Sequence, residues 1–91
     1  LVDADGKLTG IFVDADLRRL LTDGGAAVLD RPVADVMTRN PKSIHAGRLA
    51  SEAMHTINQY HIDELPVVDD QGHAVGLVDV QDLVAVGLAQ A

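Results

Sequence analysis

Ninety-one residues with a formal net charge of −7 and no cysteine make one small domain or two very small subdomains, and exclude disulfides and thiolate metal sites. The acidic balance argues against a partner held through its phosphate backbone, because such a surface needs clustered Lys and Arg. No apolar run is long enough to span a bilayer and no signal-peptide pattern is present, so a cytoplasmic chain with neither a membrane nor a nucleic-acid partner is expected.

A chain this short buries only roughly 60–65% of its unfolded surface. Phe12 and Tyr60 are its only aromatic residues, so the core must be built from Val, Leu, Ile and Ala. From the N-terminus, Val2-Asp3-Ala4-Asp5-Gly6 reads as the end of an apolar strand running into a turn, with the Gly supplying a positive φ. A second strand follows the turn, as Ala74 to about Val78 does in the later copy. Asp14 is the expected N-cap of a helix whose apolar face is Leu17, Leu20 and Leu21 and whose stop is Gly24. Asp3, Asp5 and Gly6 imitate part of a calcium loop, but Leu1 and Phe12 stand where its first and twelfth positions need oxygen ligands. Residues 23–33 read as a linker. Val36 to Pro41 reads as a short helical turn leading into an extended segment, and Ser43-Ile44 as a short strand. Leu49, Ala53, Ile57 and Tyr60, with Ala50 and Met54 alongside, predict a helix over residues 47–60. Leu65 to Val68 is a strand, Asp69 to His73 a Gly-containing turn, Ala74 to Val78 a strand, and a helix starts near Val80.

These elements repeat. Val2 to Gly10 is similar to Val68 to Gly76 at an offset of 66 residues, and the match runs without a gap to Asp16-Leu17 against Asp82-Leu83. The second copy is strand, helix, strand, strand, helix, whereas the first lacks its leading strand and helix. The pattern Met-Thr-x-x-Pro, a helix, Leu-Pro-Val-Val-Asp, a Gly turn and then Gly-x-x-x-x-x-Asp-Leu resembles the CBS domain, whose units pair into a Bateman module. The resemblance implies an α/β (α+β) fold: small three-stranded sheets, each packed on two helices. Residues 1–22 would be the second half of a first unit, 23–33 the linker, and 34–91 a complete second unit.

Gly10 to Arg19, His61 to Asp69 and the ending Gln81 to Leu88 are further similar to the C-terminal region of bacterial arabinose-5-phosphate isomerases, the sugar-phosphate isomerase family of Kdo synthesis. That likeness implies a longer parent whose isomerase domain precedes this segment, a segment with no catalytic residues of its own, and self-association through CBS faces.

The resemblance also supplies candidate site residues. Asp16 and Asp82 hold matching places in the first turn of a helix. An ionised Asp there can accept from both hydroxyls of a ribose, and it also suits a helix N-terminus on electrostatic grounds alone. Thr38, Lys42 and Ile44, with Pro41 and Ser43, mark where CBS units hold a base or phosphate, and Pro66 would flank the same cleft. Lys42 could neutralise a phosphate or simply be solvated. Arg18 and Arg19 could reach a ligand anion or pair with Asp14 or Asp23. The expected effector is a nucleotide, AMP or ATP, or a CMP-sugar. Two departures weigh against the usual sites: Val13 and Asp79 stand where CBS units favour Ser or Thr. No metal is expected, since His55 and His61 fall on different helix faces and no His-x-x-x-His spacing occurs. No nucleophile elbow or P-loop is present.

Overall fold

The computed structural model describes residues 1–85, so the expected Gly87-Leu88 ending lies outside the described residues. The chain folds as β1 (Gly10–Ile11), α1 (Asp14–Gly24), a 3-10 helix (Gly25–Asp30), α2 (Val33–Val36), β2 (Thr38–Arg39), β3 (Ile44–His45), α3 (Ala50–Tyr60), β4 (Glu64–Val68), β5 (Ala74–Asp79) and α4 (Val80–Ala85).

The second half of the chain carries a three-stranded sheet in the order β3-β4-β5. β3 is parallel to β4, with Ile44 opposite Val67, and β4 is antiparallel to β5, with Leu65 opposite Val78. A parallel pair needs a crossover, and α3 supplies it. The core forms where α3 and α4 meet β4: Leu65 is fully buried against Ala53, Ile57 and Leu83, and Ile44, Met54, Ile62, Val78 and Val80 close around them. The first half has a smaller, two-stranded sheet. β1 pairs antiparallel with β2, not with a strand of its own repeat, and the strand expected to run into the Val2–Gly6 turn is reduced to a bridge between Val2 and Leu8.

The repeat is realised as a local two-fold axis. Lys7 bridges His73, the Leu8 N–H donates to the Gly72 carbonyl, and the Ala74 N–H donates to the Gly6 carbonyl, both at 3.0 Å. An offset of 66 residues carries each of these bonds onto the other. The turns match internally as well. Asp3 Oδ1 accepts from the Asp5 and Lys7 N–H groups, and Asp69 Oδ1 from those of Gln71 and His73. The Asp3 carboxylate is thereby engaged in an Asx-type turn, which accounts for the calcium-loop likeness.

Several boundaries differ from expectation for local reasons. The N-cap of α1 is Val13, not Asp14: Asp14 is already helical, and Asp16 reaches back to accept from the Val13 N–H at 3.2 Å. Gly24 is the last helical residue, and the stop is Gly25, whose φ of 68° releases the chain. Residues 25–30 then continue as a 3-10 helix. The helical turn expected after Val36 instead ends there, because Thr38 and Arg39 are drawn into pairing with β1. Helix α3 begins at Ala50, after a turn over Ala46 and Gly47, and ends where His61 adopts the left-handed conformation. Leu49 and Tyr60, expected on its buried face, are therefore 65% and 44% exposed at its two ends.

Candidate ligand cleft

A cleft of about 420 Å³ opens between the two halves of the chain. Helix α1 presents Asp16 and Arg19 to it, because residues three apart share a helix face. Ile11 and Val13 precede them, Thr38, Pro41 and Lys42 form another side, and Glu64 and Pro66 of β4 lie at the base. The pairing of β1 with β2 sets this geometry: it places Thr38 beside Ile11, so that the segment after β2 runs past α1.

Asp16 is the buried polar residue of the cleft, at 7% exposure. Its Oδ2 accepts from the Val13 N–H, and its Oδ1 accepts from Arg19 Nη2 at 3.1 Å. Lys42 holds its Nζ 4.4 Å from the centre of the Tyr60 ring, a cation–π contact that keeps the ammonium near the cleft. The cleft can thus offer a desolvated carboxylate to hydroxyl donors and two cationic heads to an anion.

The structure brings four of the six expected site residues together: Asp16, Thr38, Lys42 and Pro66. The other two stand apart from this cleft. Ile44 packs onto the core, because β3 turns its side chain toward α3. Asp82 faces solvent and accepts the Asp79 N–H at 3.1 Å, while Asp79 Oδ1 takes the Gln81 N–H at 2.8 Å. Both carboxylates therefore cap the start of α4. Arg18 pairs at the surface with Asp14, at 3.9 Å.

Sequence reasoning missed the acidic side of the cleft. His61, Asp63 and Glu64 line it, and the internal repeat could not flag them, because their counterparts would precede Leu1. Burial, and then the nearby Asp63, Asp79, Asp14 and Asp16 carboxylates, push the Glu64 carboxyl above the ordinary carboxylate range. A folded-state pKa raised in this way penalises the ionised form, so stability falls as pH rises from 4.5, the ordinary value, through the raised one. Glu64→Gln should therefore melt higher than the parent at pH 7 and match it below pH 4.5. Thermal melts across that range check this, and an equal offset at both ends would contradict it.

Asp69 shows the opposite shift. Hydrogen bonds from the His73 backbone, partly offset by desolvation and aided by the His73 side chain, hold its carboxyl below the usual range. On α3, Glu52 lies three residues before His55, but it pairs with Arg48 at 3.3 Å. Among the described residues no group of His, Asp and Glu could hold a metal ion, and no helix is long and apolar enough to cross a membrane.

The CBS domain model matches residues 33–88 of the chain. Over 79 residues the chain is 42% identical to a probable arabinose 5-phosphate isomerase of Haemophilus influenzae, covering 87% of this chain and 23% of that protein. Over 88 residues it is 38% identical to the arabinose 5-phosphate isomerase KdsD of Francisella tularensis, covering 97% and 27%. The chain thus spans about a quarter of the length of these curated relatives. Among solved structures, the CBS domain pair of protein MJ0100, in complex with 5′-methylthioadenosine and S-adenosyl-L-methionine, superposes with a TM-score of 0.82 at 29% identity, covering 94% of this chain and 65% of that one. A mixed α/β chain with a two-fold internal repeat, matched by the family model over most of its length and superposing on a CBS pair, belongs to the CBS-domain family.

Proposed function

We propose that this chain is the regulatory CBS module of a sugar-phosphate isomerase that converts ribulose 5-phosphate to arabinose 5-phosphate for Kdo and lipopolysaccharide synthesis, and that its cleft senses a nucleotide or nucleotide sugar. In this reading residues 1–22 are the second half of one unit, 23–33 the linker and 34–91 the second unit, and the partner is the isomerase domain of the same parent chain. The observation that carries the reading is the buried Asp16 carboxylate set in a cleft with Lys42 and Arg19. That arrangement suits a ribose diol at one end and a phosphate at the other. The solved MJ0100 pair, a relative in fold, was captured with two adenosine compounds. An effector bound here acts on the parent only through its different affinity for the parent's states.

Thermal denaturation against AMP, ADP, ATP, S-adenosylmethionine, CMP, a CMP-activated sugar acid and arabinose 5-phosphate tests it. A ligand at about 100 times its dissociation constant stabilises by roughly 2.7 kcal/mol, which for a domain of this size is a shift on the order of 10 °C or more. Such a shift with a nucleotide is the expected result. No shift with any of the seven would overturn it.

A ligand-free oligomerisation scaffold is the second reading. It is favoured by Val75 and Leu77, which stand 57% and 58% exposed along the outer strand β5, where unpaired edges and apolar side chains invite association. Light scattering that returns a dimer or larger species, together with an unresponsive melt, would select it.

A further inference from the structure

Arg19 is placed to do more than neutralise the cleft. Its guanidinium sits on Asp16 Oδ1, the oxygen not engaged by the Val13 N–H. The Arg19 side chain is 59% exposed while that of Asp16 is 10% exposed, so one partner is set in the wall and the other reaches it from the solvent side. Because an unpaired buried carboxylate is costly, a ligand that displaces the guanidinium must supply donors of its own to Asp16. The repeat singles Arg19 out: Asp16 corresponds to Asp82, but the position matching Arg19 is Ala85, and Asp82 accepts a backbone N–H. The cleft therefore has an arm that the other half lacks. Lys42 already rests on Tyr60, which leaves Arg19 as the cation whose present partner is the group a ribose would engage.

We propose that Arg19 is an exchange arm. In the free protein it holds Asp16; when a ribose takes the Asp16 carboxylate, Arg19 transfers to the ligand's phosphate. This makes the cleft selective for nucleotides over nucleosides and rests on the nucleotide reading above. A nucleoside must break the pair and gives the guanidinium nothing in return. A phosphate restores a charge-assisted contact, which a planar guanidinium can make in bidentate fashion.

Calorimetric titration of the chain, its Arg19→Gln variant and its Arg19→Lys variant with AMP, adenosine, CMP and cytidine tests the exchange. The expected result has opposite signs. Arg19→Gln weakens the better-binding nucleotide about tenfold or more, as loss of a charged hydrogen bond implies, and tightens its nucleoside severalfold. Arg19→Lys lies between. If nucleotide and nucleoside move together, or neither moves, Arg19 is a structural neighbour of Asp16 and the exchange is wrong while the nucleotide site stands. If none of the four binds the unaltered chain the exchange falls, and if none of the seven ligands of the thermal panel binds either, the nucleotide reading falls with it.

Discussion

Leu65→Ala is expected to lower the folding free energy by about 2–5 kcal/mol, the range for emptying a well-packed leucine site. Leu65 is fully buried and is the residue on which α3, α4 and β4 converge, through Ala53, Ile57 and Leu83. Ala53, Ile57 and Leu83 are held on α3 and α4, and Ile44 and Val78 on the strands flanking β4, so little relief is available. Native domains are stable by only about 5–15 kcal/mol, and small ones sit toward the lower end. The variant should therefore be partly or wholly unfolded at room temperature. Urea denaturation checks this, with Val75→Ala on the exposed side of β5 as a control that should stay within about 0.5 kcal/mol of the parent. Equal effects at the two sites would mean that the core is not centred on Leu65.

Asp16→Asn is expected to cut affinity for the responding nucleotide by about 10–100-fold, while Asp82→Asn leaves it within about twofold. Asn keeps the size of Asp but replaces one acceptor oxygen with a donor and removes the charge, and a hydrogen bond to a charged group carries roughly 1.5–3 kcal/mol. At about 1.4 kcal/mol for each factor of ten, that is the range given. The two residues hold equivalent places in the repeat and cap their helices alike, through the Val13 and Asp79 N–H groups. They differ in that Asp16 is buried in the cleft and Asp82 faces solvent. Titration of both variants separates a site built by burial and neighbours from one implied by repeat position alone. Equal losses would favour the latter. If Asp16→Asn instead changes assembly, as read by light scattering, with no effect on ligand response, the scaffold reading gains.

The hairpin turns were legible because Asp followed by Gly at matching places has a direct physical meaning: Asp3 and Asp69 bond the turn's own N–H groups, and Gly6 and Gly72 take φ of 82° and 86°. Those turns marked the internal repeat, and the fold followed from the resemblance to the CBS domain that the repeated pattern carries. Strand β2 was not legible, since its partner Gly10–Ile11 lies far along the chain and nothing in Thr38-Arg39 announces pairing. The ends of α3 were misplaced because periodicity counts Leu49 and Tyr60 as apolar without knowing where the backbone leaves the helix. For the site, position in the repeat pointed to Asp16 and Asp82 equally. Only the packing of the two halves distinguishes them. That same packing brings in Glu64, a residue whose role depends on which carboxylates fold around it.

The most direct test of the central claim is a two-dimensional amide NMR titration of isotope-labelled protein with whichever nucleotide shifts the melt. Perturbed amides should cluster at Ile11, Val13, Asp16, Lys42 and Glu64 around one cleft, with Asp79 to Asp82 unmoved. Perturbations centred on Asp82, or spread over the β5 surface, would contradict it.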